Sequence, residues 1–218
     1  MRVACVGYRD WALNIYDRLA RKTDHTFLIF RSQAQFKMDV LDDFKPDLVL
    51  FYGWSWIVSA DLLQRHICLM LHPSPLPRYR GGSPIQNQII AGETSSKVSL
   101  FVMTDELDAG DLVGQQDLSL IGTLDEIFQR IEDSGFELTH HILKHGMQRV
   151  QQNNLFATYC KRRTPSDSEI TAEELASQPA EYLYNKIRML DDPYPNAYIL
   201  TADGKKLMIT AAHIEDGS

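Results

Sequence analysis

The stretch Leu71-His72-Pro73-Ser74-Pro75-Leu76-Pro77-Arg78-Tyr79-Arg80-Gly81-Gly82-Ser83-Pro84 decides the fold. The apolar run Ile67–Leu71 before it predicts a buried parallel strand, so His72 stands where that strand ends. Three prolines predict an extended loop, because each fixes its own φ and keeps the preceding residue out of the helical region. Ser83-Pro84 then predicts the N-cap and first residue of a helix that ends at Ile90. Ligands of open α/β sheets bind outside the carboxyl ends of strands, so His72 is a candidate ligand-site residue.

A second apolar run, Val98–Met103, predicts another strand, and an acidic loop follows it from Thr104 to Asp111. Acidic residues and a glycine in a loop ordinarily indicate a solvated turn. Because this loop also leaves the carboxyl end of a strand, we expect Asp108 to face His72. A carboxylate beside a histidine orients the ring and stabilises its cation, which is the pairing used in general acid–base chemistry.

Alternating strands and helices predict the architecture around these two loops. The expected strands are Arg2–Val6, His25–Phe30 and Asp47–Tyr52, and the expected helices are Trp11–Arg21, Gln33–Phe44 and Asp61–His66. Thr123 and Glu126 predict a capping box that begins a long helix to about Val150. The pattern therefore predicts a doubly wound, mostly parallel α/β sheet. Polar residues near position 152 divide a catalytic domain (1–152) from a C-terminal extension (153–218) with a helix and a β-hairpin.

The composition limits the kinds of protein that this chain represents. Its 218 residues are 44% hydrophobic, its formal net charge is −7, and it has three scattered cysteines. The acidic balance argues against a general nucleic-acid surface, and no nucleic-acid partner is expected. The cysteine pattern predicts a reducing, cytoplasmic compartment without disulfides or a metal site. No stretch approaches membrane-spanning length, and no dinucleotide-binding glycine fingerprint follows the first strand.

Two motifs together carry a resemblance to a known family. His-Pro-Ser-x-Leu-Pro-x-Tyr-x-Gly from residue 72 and Asp-Glu-x-Asp-x-Gly-Asp from residue 105 resemble motifs of the folate-dependent formyltransferases. This family includes methionyl-tRNA formyltransferase, glycinamide ribonucleotide transformylase and the sugar N-formyltransferases, to which the chain is most similar. The resemblance implies a Rossmann-like formyltransferase fold, 10-formyltetrahydrofolate as the formyl donor, and His72 and Asp108 as catalytic residues. It covers the chain from the first strand to about residue 150, and weakly beyond.

One position departs from the family pattern. The family has an asparagine two residues before the histidine, where it holds the formyl oxygen, and here that position is Met70. Loss of one such donor typically lowers the rate about 100- to 1,000-fold. Three alternatives stay open. In the first, a cationic His72 stabilises the oxyanion alone. In the second, a backbone N–H or the amide of Gln86, Asn87 or Gln88 supplies the donor. In the third, the protein is a weak enzyme or a non-catalytic folate- or sugar-binding homologue.

The resemblance also implies which residues bind the formyl donor and the acceptor. In the family, the loop after the third strand lines a pterin pocket, and a flat pterin suits an apolar slot edged by backbone groups. The candidate folate-binding residues are Ser55, Trp56, Ile57, Val58, Met103 and Thr104. The candidate acceptor-binding residues are Arg9, Arg78, Tyr79, Arg80, Gln86 and Arg162. The arginines among them suit an anionic substrate.

These features predict an N-formyltransferase that transfers a formyl group from 10-formyltetrahydrofolate to a primary amine of a small acceptor. A nucleotide-linked amino sugar of polysaccharide biosynthesis is the expected acceptor. No extended basic surface and no ribonucleotide phosphate loop are present, and the C-terminal tail resembles that of the sugar enzymes. An amino acid or a methionine carried on tRNA is the alternative acceptor. The hairpin near the C-terminus has edge strands that need covering, which suits a homodimer.

Overall fold

The computed structural model describes residues 1–191 and 194–215, and a six-stranded sheet lies at its centre. The strands of the described chain are β1 (Arg2–Val6), β2 (Thr26–Phe30), β3 (Leu48–Phe51), β4 (Cys68–His72), β5 (Arg80–Gly81), β6 (Ser95–Val102), β7 (Leu112–Ser119), β8 (Tyr159–Cys160), β9 (Ala197–Leu200) and β10 (Lys206–Ile209). The central sheet has the order β2-β1-β3-β4-β6-β7. The first four strands of this order are parallel, so the predicted mostly parallel α/β sheet is confirmed.

Helices cover both faces of this sheet. They are α1 (Asp10–Lys22), α2 (Met38–Phe44), α3 (Ala60–Arg65), α4 (Pro84–Ile90), α5 (Leu124–His145), α6 (Ala172–Ser177) and α7 (Ala180–Arg188). Side chains of α1, α4 and α5 share one hydrophobic core with the sheet, and those of α2 and α3 share the core on the opposite face. Because β1, β3 and β4 are covered on both faces, their sequences are continuous apolar runs rather than alternating ones.

Two predicted helices differ from the structure by more than one residue at one end. The helix predicted over Gln33–Phe44 begins only at Met38, because a turn in which Gln35 N and Phe36 N both donate to Ser32 O comes before it. The long helix α5 begins with the predicted capping box but ends at His145 rather than near Val150. Gly146 follows it with a positive φ of 84°, a conformation that favours glycine and ends the helix.

The direction of β6 differs from the expectation. It runs antiparallel to β4, with His72 opposite Ser99 and Leu69 opposite Val102. The acidic loop after β6 therefore starts near the beginning of β4, where Met103 N donates to Cys68 O at 2.8 Å. The expectation that both loops leave the same carboxyl edge was wrong. The loop reaches His72 by running back along the sheet.

The C-terminal extension packs on the preceding part of the chain through a strand and a helix. The segment 158–164, here called the return segment, contains β8, which pairs in parallel with β5. Farther along, α7 contacts α4, and β9 and β10 form the predicted antiparallel hairpin. Lys186 is 4% exposed and ties the extension together, since its Nζ donates to the Glu174 carboxylate and to Glu169 O. Within the two described ranges, no helix combines the length and apolar character needed to cross a membrane.

Candidate active site

An open cavity of about 920 Å³ lies at the carboxyl ends of β1, β3 and β4 and reaches both faces of the sheet. On one face it is lined by residues that pack with α2 and α3, here called the α3 lobe: Trp54, Val58, Leu63, Met70 and Met103. On the other face it is lined by residues that pack with α1 and α5, here called the α5 lobe: Trp11, Ile85, Phe128, Leu190 and Tyr194. The volume is in the range of small-molecule sites, and the two lobes suit two ligands that meet between them.

His72 and Asp108 line this cavity and lie together, as predicted. His72 Nδ1 is 3.8 Å from Asp108 Oδ2, and the two side chains are 7% and 9% exposed. His72 Nε2 is 2.9 Å from Tyr79 O. A carbonyl only accepts, so Nε2 carries a proton, and Nδ1 of the neutral ring is an acceptor.

The separation of Nδ1 and Oδ2 is too long for a direct hydrogen bond. In the neutral state of the ring, two acceptors therefore face each other across a gap that suits an N–H group of a ligand. Once Nδ1 gains a proton it becomes a donor, and the cationic ring can then stabilise a nearby developing negative charge. This arrangement supports proton movement to and from an amine.

The Asp108 carboxylate is held by a backbone N–H group, and the Asp108 main chain is held by Gln152, which was not predicted from the sequence. Asp108 Oδ2 accepts from Gly81 N at 2.7 Å, which joins the two predicted loops. Gln152 Nε2 donates to Asp108 O at 2.9 Å and to Gly110 O at 2.7 Å. Asp108 has a positive φ of 50°, which its short polar side chain tolerates better than most. The carboxylate is therefore preorganised toward His72.

Arg80 does not face the cavity and is not available to a substrate. It is 2% exposed, and its guanidinium donates to Gln152 Oε1 at 2.8 Å, Asn154 Oδ1 at 2.8 Å and Tyr159 OH at 3.2 Å. Because Gln152 also holds the Asp108 main chain, Arg80 supports the loop that carries Asp108 instead of binding an anion. The expectation of an anion site at Arg80 was therefore wrong.

Arg78 and Tyr79 also lie outside the cavity lining. Arg78 Nη2 is 2.7 Å from Glu93 Oε1, and the Tyr79 hydroxyl donates to the same oxygen at 2.9 Å. The expectation that these side chains contact an acceptor was wrong. The contribution of Tyr79 to the site is its carbonyl, which fixes the His72 ring, and its positive φ of 59° aims that carbonyl.

The remaining predicted residues are brought to the cavity. These are Arg9, Ser55, Trp56, Ile57, Val58, Gln86, Met103, Thr104 and Arg162. Trp56 packs on Trp54 with ring centroids 4.6 Å apart and on Tyr8 at 5.0 Å. Ile57 is fully exposed, so it lines the mouth of the cavity and not its interior. The loop after β3 thus forms an aromatic wall of the α3 lobe.

Two local predictions for the proline loop were wrong. Residues 73–79 form successive turns, in which Ser74 N donates to His72 O and Leu76 N donates to Ser74 O, each at 2.9 Å. The loop is therefore compact instead of extended. Ser83 has a positive φ of 51° and does not cap α4 with its side chain. Its hydroxyl accepts from Arg163 N at 3.0 Å and holds the return segment against the cavity.

Two of the three amides of α4 are used within the protein. Asn87 Nδ2 donates to Gly82 O at 3.1 Å and to Lys161 O at 3.0 Å. Gln88 Nε2 donates to Pro73 O at 2.9 Å and to Pro84 O at 3.0 Å. Neither side chain is free to meet a ligand, because both hold the loops around His72.

Basic side chains stand at the rim of the cavity although the protein is acidic. The Arg9 guanidinium carbon lies 4.9 Å from the Tyr8 ring centroid and 5.5 Å from that of Tyr194. Arg162 Nη1 donates to Ser55 O at 3.4 Å, which joins the return segment to the aromatic wall. Arg9 and Arg162 therefore offer two cationic groups to an anionic group, although Asp105 and Glu106 line the same cavity.

Cys160 also lines the cavity, together with His72 and Asp108. Burial raises the pKa of the Cys160 thiol, and the charge of Asp108 raises it further. Together they outweigh the hydrogen bond with the Asn87 side chain, which lowers this pKa. The neutral thiol is a poor nucleophile, so this residue packs in the wall. In residues 1–191 and 194–215, no group of three or more His, Cys, Asp or Glu side chains is placed to hold a metal ion.

Comparisons with known proteins agree with this geometry. A family model described as "Formyl transferase" matches residues 16–147, and one described as "Methionyl-tRNA formyltransferase, C-terminal domain" matches residues 165–218. A methionyl-tRNA formyltransferase of Moorella thermoacetica is 35% identical over 182 residues, which are 80% of this chain and 57% of the relative. The chain thus spans little more than half the length of that relative.

Solved structures show the same fold. The methionyl-tRNA formyltransferase from Clostridium thermocellum is 28% identical, has a TM-score of 0.90, and is matched over 100% of this chain and 95% of that one. HypX from Aquifex aeolicus in complex with tetrahydrofolic acid is 17% identical, with a TM-score of 0.77 over 95% of this chain and 37% of that one. With the family model covering more than half of its residues, the chain belongs to the formyl transferase family.

Proposed function

We propose that this chain transfers a formyl group from 10-formyltetrahydrofolate to the α-amine of methionyl-tRNA. The facing pair of His72 Nδ1 and Asp108 Oδ2, 3.8 Å apart between two lobes, carries this proposal. The names of the relatives support the acceptor, and the tetrahydrofolate of the HypX structure supports the donor. The sequence analysis favoured an amino sugar and no nucleic-acid partner, and the relatives weigh against that preference. The reducing cytoplasm that the cysteines predict is the proposed compartment.

The α3 lobe is the proposed site of the formyl donor. Its walls are apolar and aromatic, and the main chain of residues 55–58 edges the slot, which suits a flat pterin with polar edges. Ser55, Trp56 and Val58 line one side, and Met103 and Thr104 line the other. A pterin in this slot directs the formyl group toward His72, because Met70 and His72 project from the same face of β4.

Asp108 and His72 move the protons of the reaction. The bound donor supplies a formyl carbon that the acceptor amine attacks. A new C–N bond forms, and the bond from the formyl carbon to N10 of the folate breaks. The amine loses a proton to the Asp108–His72 pair, and the pair returns a proton to N10 as that nitrogen leaves. Burial of both side chains and closure by the two loops keep water away from the formyl carbon.

The α5 lobe is the proposed site of the acceptor. Trp11, Phe128 and Leu190 give it an apolar wall that suits the side chain of methionine. An amino sugar would place hydroxyl groups against this wall without hydrogen-bond partners, which is unfavourable. The division into a catalytic domain (1–152) and an extension (153–218) is part of this proposal, because the extension supplies Leu190 to the wall. Arg9 and Arg162 at the rim suit phosphates of the acceptor end.

An acceptor panel tests this proposal. The protein is incubated with 10-formyltetrahydrofolate labelled in the formyl group and, separately, with methionyl initiator tRNA, amino-sugar nucleotides and glycinamide ribonucleotide. Label should enter methionyl-tRNA, and no label should enter it when the methionine amine is acetylated beforehand. Formylation of a sugar nucleotide with no label in tRNA would refute the acceptor. Calorimetric binding of tetrahydrofolate without transfer to any acceptor would refute catalysis.

A further inference from the structure

We propose that the side-chain amide of Gln86 donates a hydrogen bond to the formyl oxygen while that oxygen gains negative charge. This inference deepens the proposed function and rests on it, since it assigns a residue for the same reaction. Attack of an amine on a formyl carbon pushes the electron pair of the C=O bond onto oxygen. A donor placed at that oxygen before the reaction is among the largest contributions that a protein makes to such a step.

The residues nearest His72 on its own strand do not supply this donor. Met70 lies two residues before His72 in β4, so both side chains project from the same face of the sheet. Met70 lines the cavity, but its thioether has no hydrogen to donate. The Nε2–H group of His72 is directed to Tyr79 O at 2.9 Å, and its Nδ1 atom faces the Asp108 carboxylate at 3.8 Å, where it serves the proposed proton transfer. A donor for the formyl oxygen is therefore expected from another element.

Gln86 has an unused donor in the cavity wall. The residue is 2% exposed and lines the cavity, and its Nε2 atom is buried without a hydrogen-bond partner among the described residues. Buried polar atoms in native proteins are almost always paired, so an exception indicates a partner that binds later. Asn87 and Gln88, the neighbouring amides, both donate to main-chain carbonyls instead.

Arg163 Nε is another buried, unpartnered nitrogen in the cavity wall. The Arg163 guanidinium also donates through Nη2 to Asp167 O at 2.6 Å, and the Arg163 main chain donates to the Ser83 hydroxyl. Arg163 therefore fixes the return segment at the rim. The neutral amide of Gln86 is the better match for a carbonyl oxygen that carries full charge only during the reaction.

Hydrogen bonds fix α4 relative to the catalytic pair. Gln88 Nε2 donates to Pro73 O, directly after His72, and Gly81 N donates to the Asp108 carboxylate. The segment that carries Gln86 is thus anchored to both catalytic loops. Its amide requires little reorganisation when the formyl group arrives, which is the condition for an effective electrostatic contribution.

The test moves an amide from one position to the other. Four proteins are compared: the wild type, Gln86→Met, Met70→Asn, and the double variant Gln86→Met/Met70→Asn. Methionine keeps the length and volume of glutamine but removes the donor, and asparagine introduces one beside His72. We expect Gln86→Met to lower kcat about 100-fold with KM for the acceptor nearly unchanged. Met70→Asn alone should raise kcat by less than about tenfold because a donor is already present, and the double variant should regain about tenfold over Gln86→Met.

A binding measurement accompanies the kinetics. Calorimetry compares a stable formylated folate with tetrahydrofolate, and the extra affinity due to the formyl group should fall in Gln86→Met and return in the double variant. Asn87→Leu, with and without Met70→Asn, is the matched control, since loss of a structural amide should lower thermal stability without rescue by asparagine.

Three results would overturn the inference. The first is a kcat of Gln86→Met within threefold of the wild type. The second is a loss in Gln86→Met that follows thermal stability and is not rescued by Met70→Asn. The third is a gain above tenfold in Met70→Asn alone, which would show that the natural site lacks a donor. If the wild type binds folate but formylates no acceptor, the proposed function fails and this inference fails with it. If the wild type is active, only the role of Gln86 is at stake.

Discussion

Replacement of Asp108 by asparagine should separate the chemistry of the site from its folding. The asparagine carbonyl oxygen still accepts from Gly81 N, which lies 2.7 Å from the present carboxylate, and the main-chain contacts with Gln152 are untouched. A charge-assisted hydrogen bond becomes a neutral one, so we expect the free energy of unfolding to fall by about 1 kcal/mol. The acceptor facing His72 becomes a weak base. We therefore expect kcat to fall about 1,000-fold, equivalent to about 4 kcal/mol of barrier.

Single-turnover transfer of labelled formyl groups to methionyl-tRNA measures this loss, and urea unfolding measures stability in parallel. Asp105→Asn is the control, because it removes an exposed carboxylate from the same loop without touching His72. The reasoning is refuted if kcat of Asp108→Asn stays within tenfold of the wild type. It is also refuted if the variant loses about 3 kcal/mol of stability or more, because the kinetic loss would then reflect a disordered loop.

Three further substitutions test contacts that hold the loops around the cavity and the C-terminal extension in place. Gln152→Leu removes one of the three side-chain acceptors of the buried Arg80 guanidinium and should lower the unfolding free energy by about 3 kcal/mol, measured in urea, together with kcat. Gly82→Ala would place a Cβ 2.5 Å from the backbone of the return segment, so it should cost about 1–3 kcal/mol of stability and weaken acceptor binding. Burial raises the pKa of Glu174, but hydrogen bonds led by that of Lys186 outweigh it, and the net pKa is below the usual range. The Glu174 carboxylate therefore stabilises the folded state fully above its unfolded-state pKa of about 4.3, and this stabilisation is lost as pH falls through its folded-state pKa. Glu174→Gln should flatten the decline in the free energy of unfolding between about pH 5 and about pH 3. An unchanged slope would contradict a stabilising interaction of Glu174 with Lys186.

Elements with strong local signals were predicted well from the sequence. The strand Arg2–Val6 has the predicted bounds, α4 begins at Pro84 and ends at Ile90 as expected, and the capping box of Thr123 and Glu126 begins α5. Each of these depends on residues that are adjacent or one helical turn apart. Such contacts are visible in a single sequence because the chain does not need to return from elsewhere to make them.

Features that depend on distant residues were not predicted. The direction of β6 is set by its pairing with β4 and β7. An apolar run in the sequence does not indicate whether a strand is parallel or antiparallel to its neighbours. The contact of Arg80 with Gln152 joins residues 72 positions apart, and nothing near Arg80 distinguishes it from an arginine at a ligand. Burial of a guanidinium among three side-chain acceptors depends on the tertiary fold, so the sequence instead suggested that Arg80 binds an anion.

The meeting of His72 and Asp108 was predicted correctly from a premise that the structure contradicts. The expected common strand edge does not exist, since β6 is antiparallel to β4. The acidic loop instead returns along the sheet and is closed by Gly110, where a Cβ would lie 1.8 Å from Val102 O. Only glycine allows this approach. The Asp-x-Gly motif, rather than the strand order, therefore accounts for the loop path that brings Asp108 close to His72. The paired motifs are thus informative because they include the glycine that allows this close backbone approach. A bulkier residue at Gly110 would separate His72 from Asp108 even with both side chains retained.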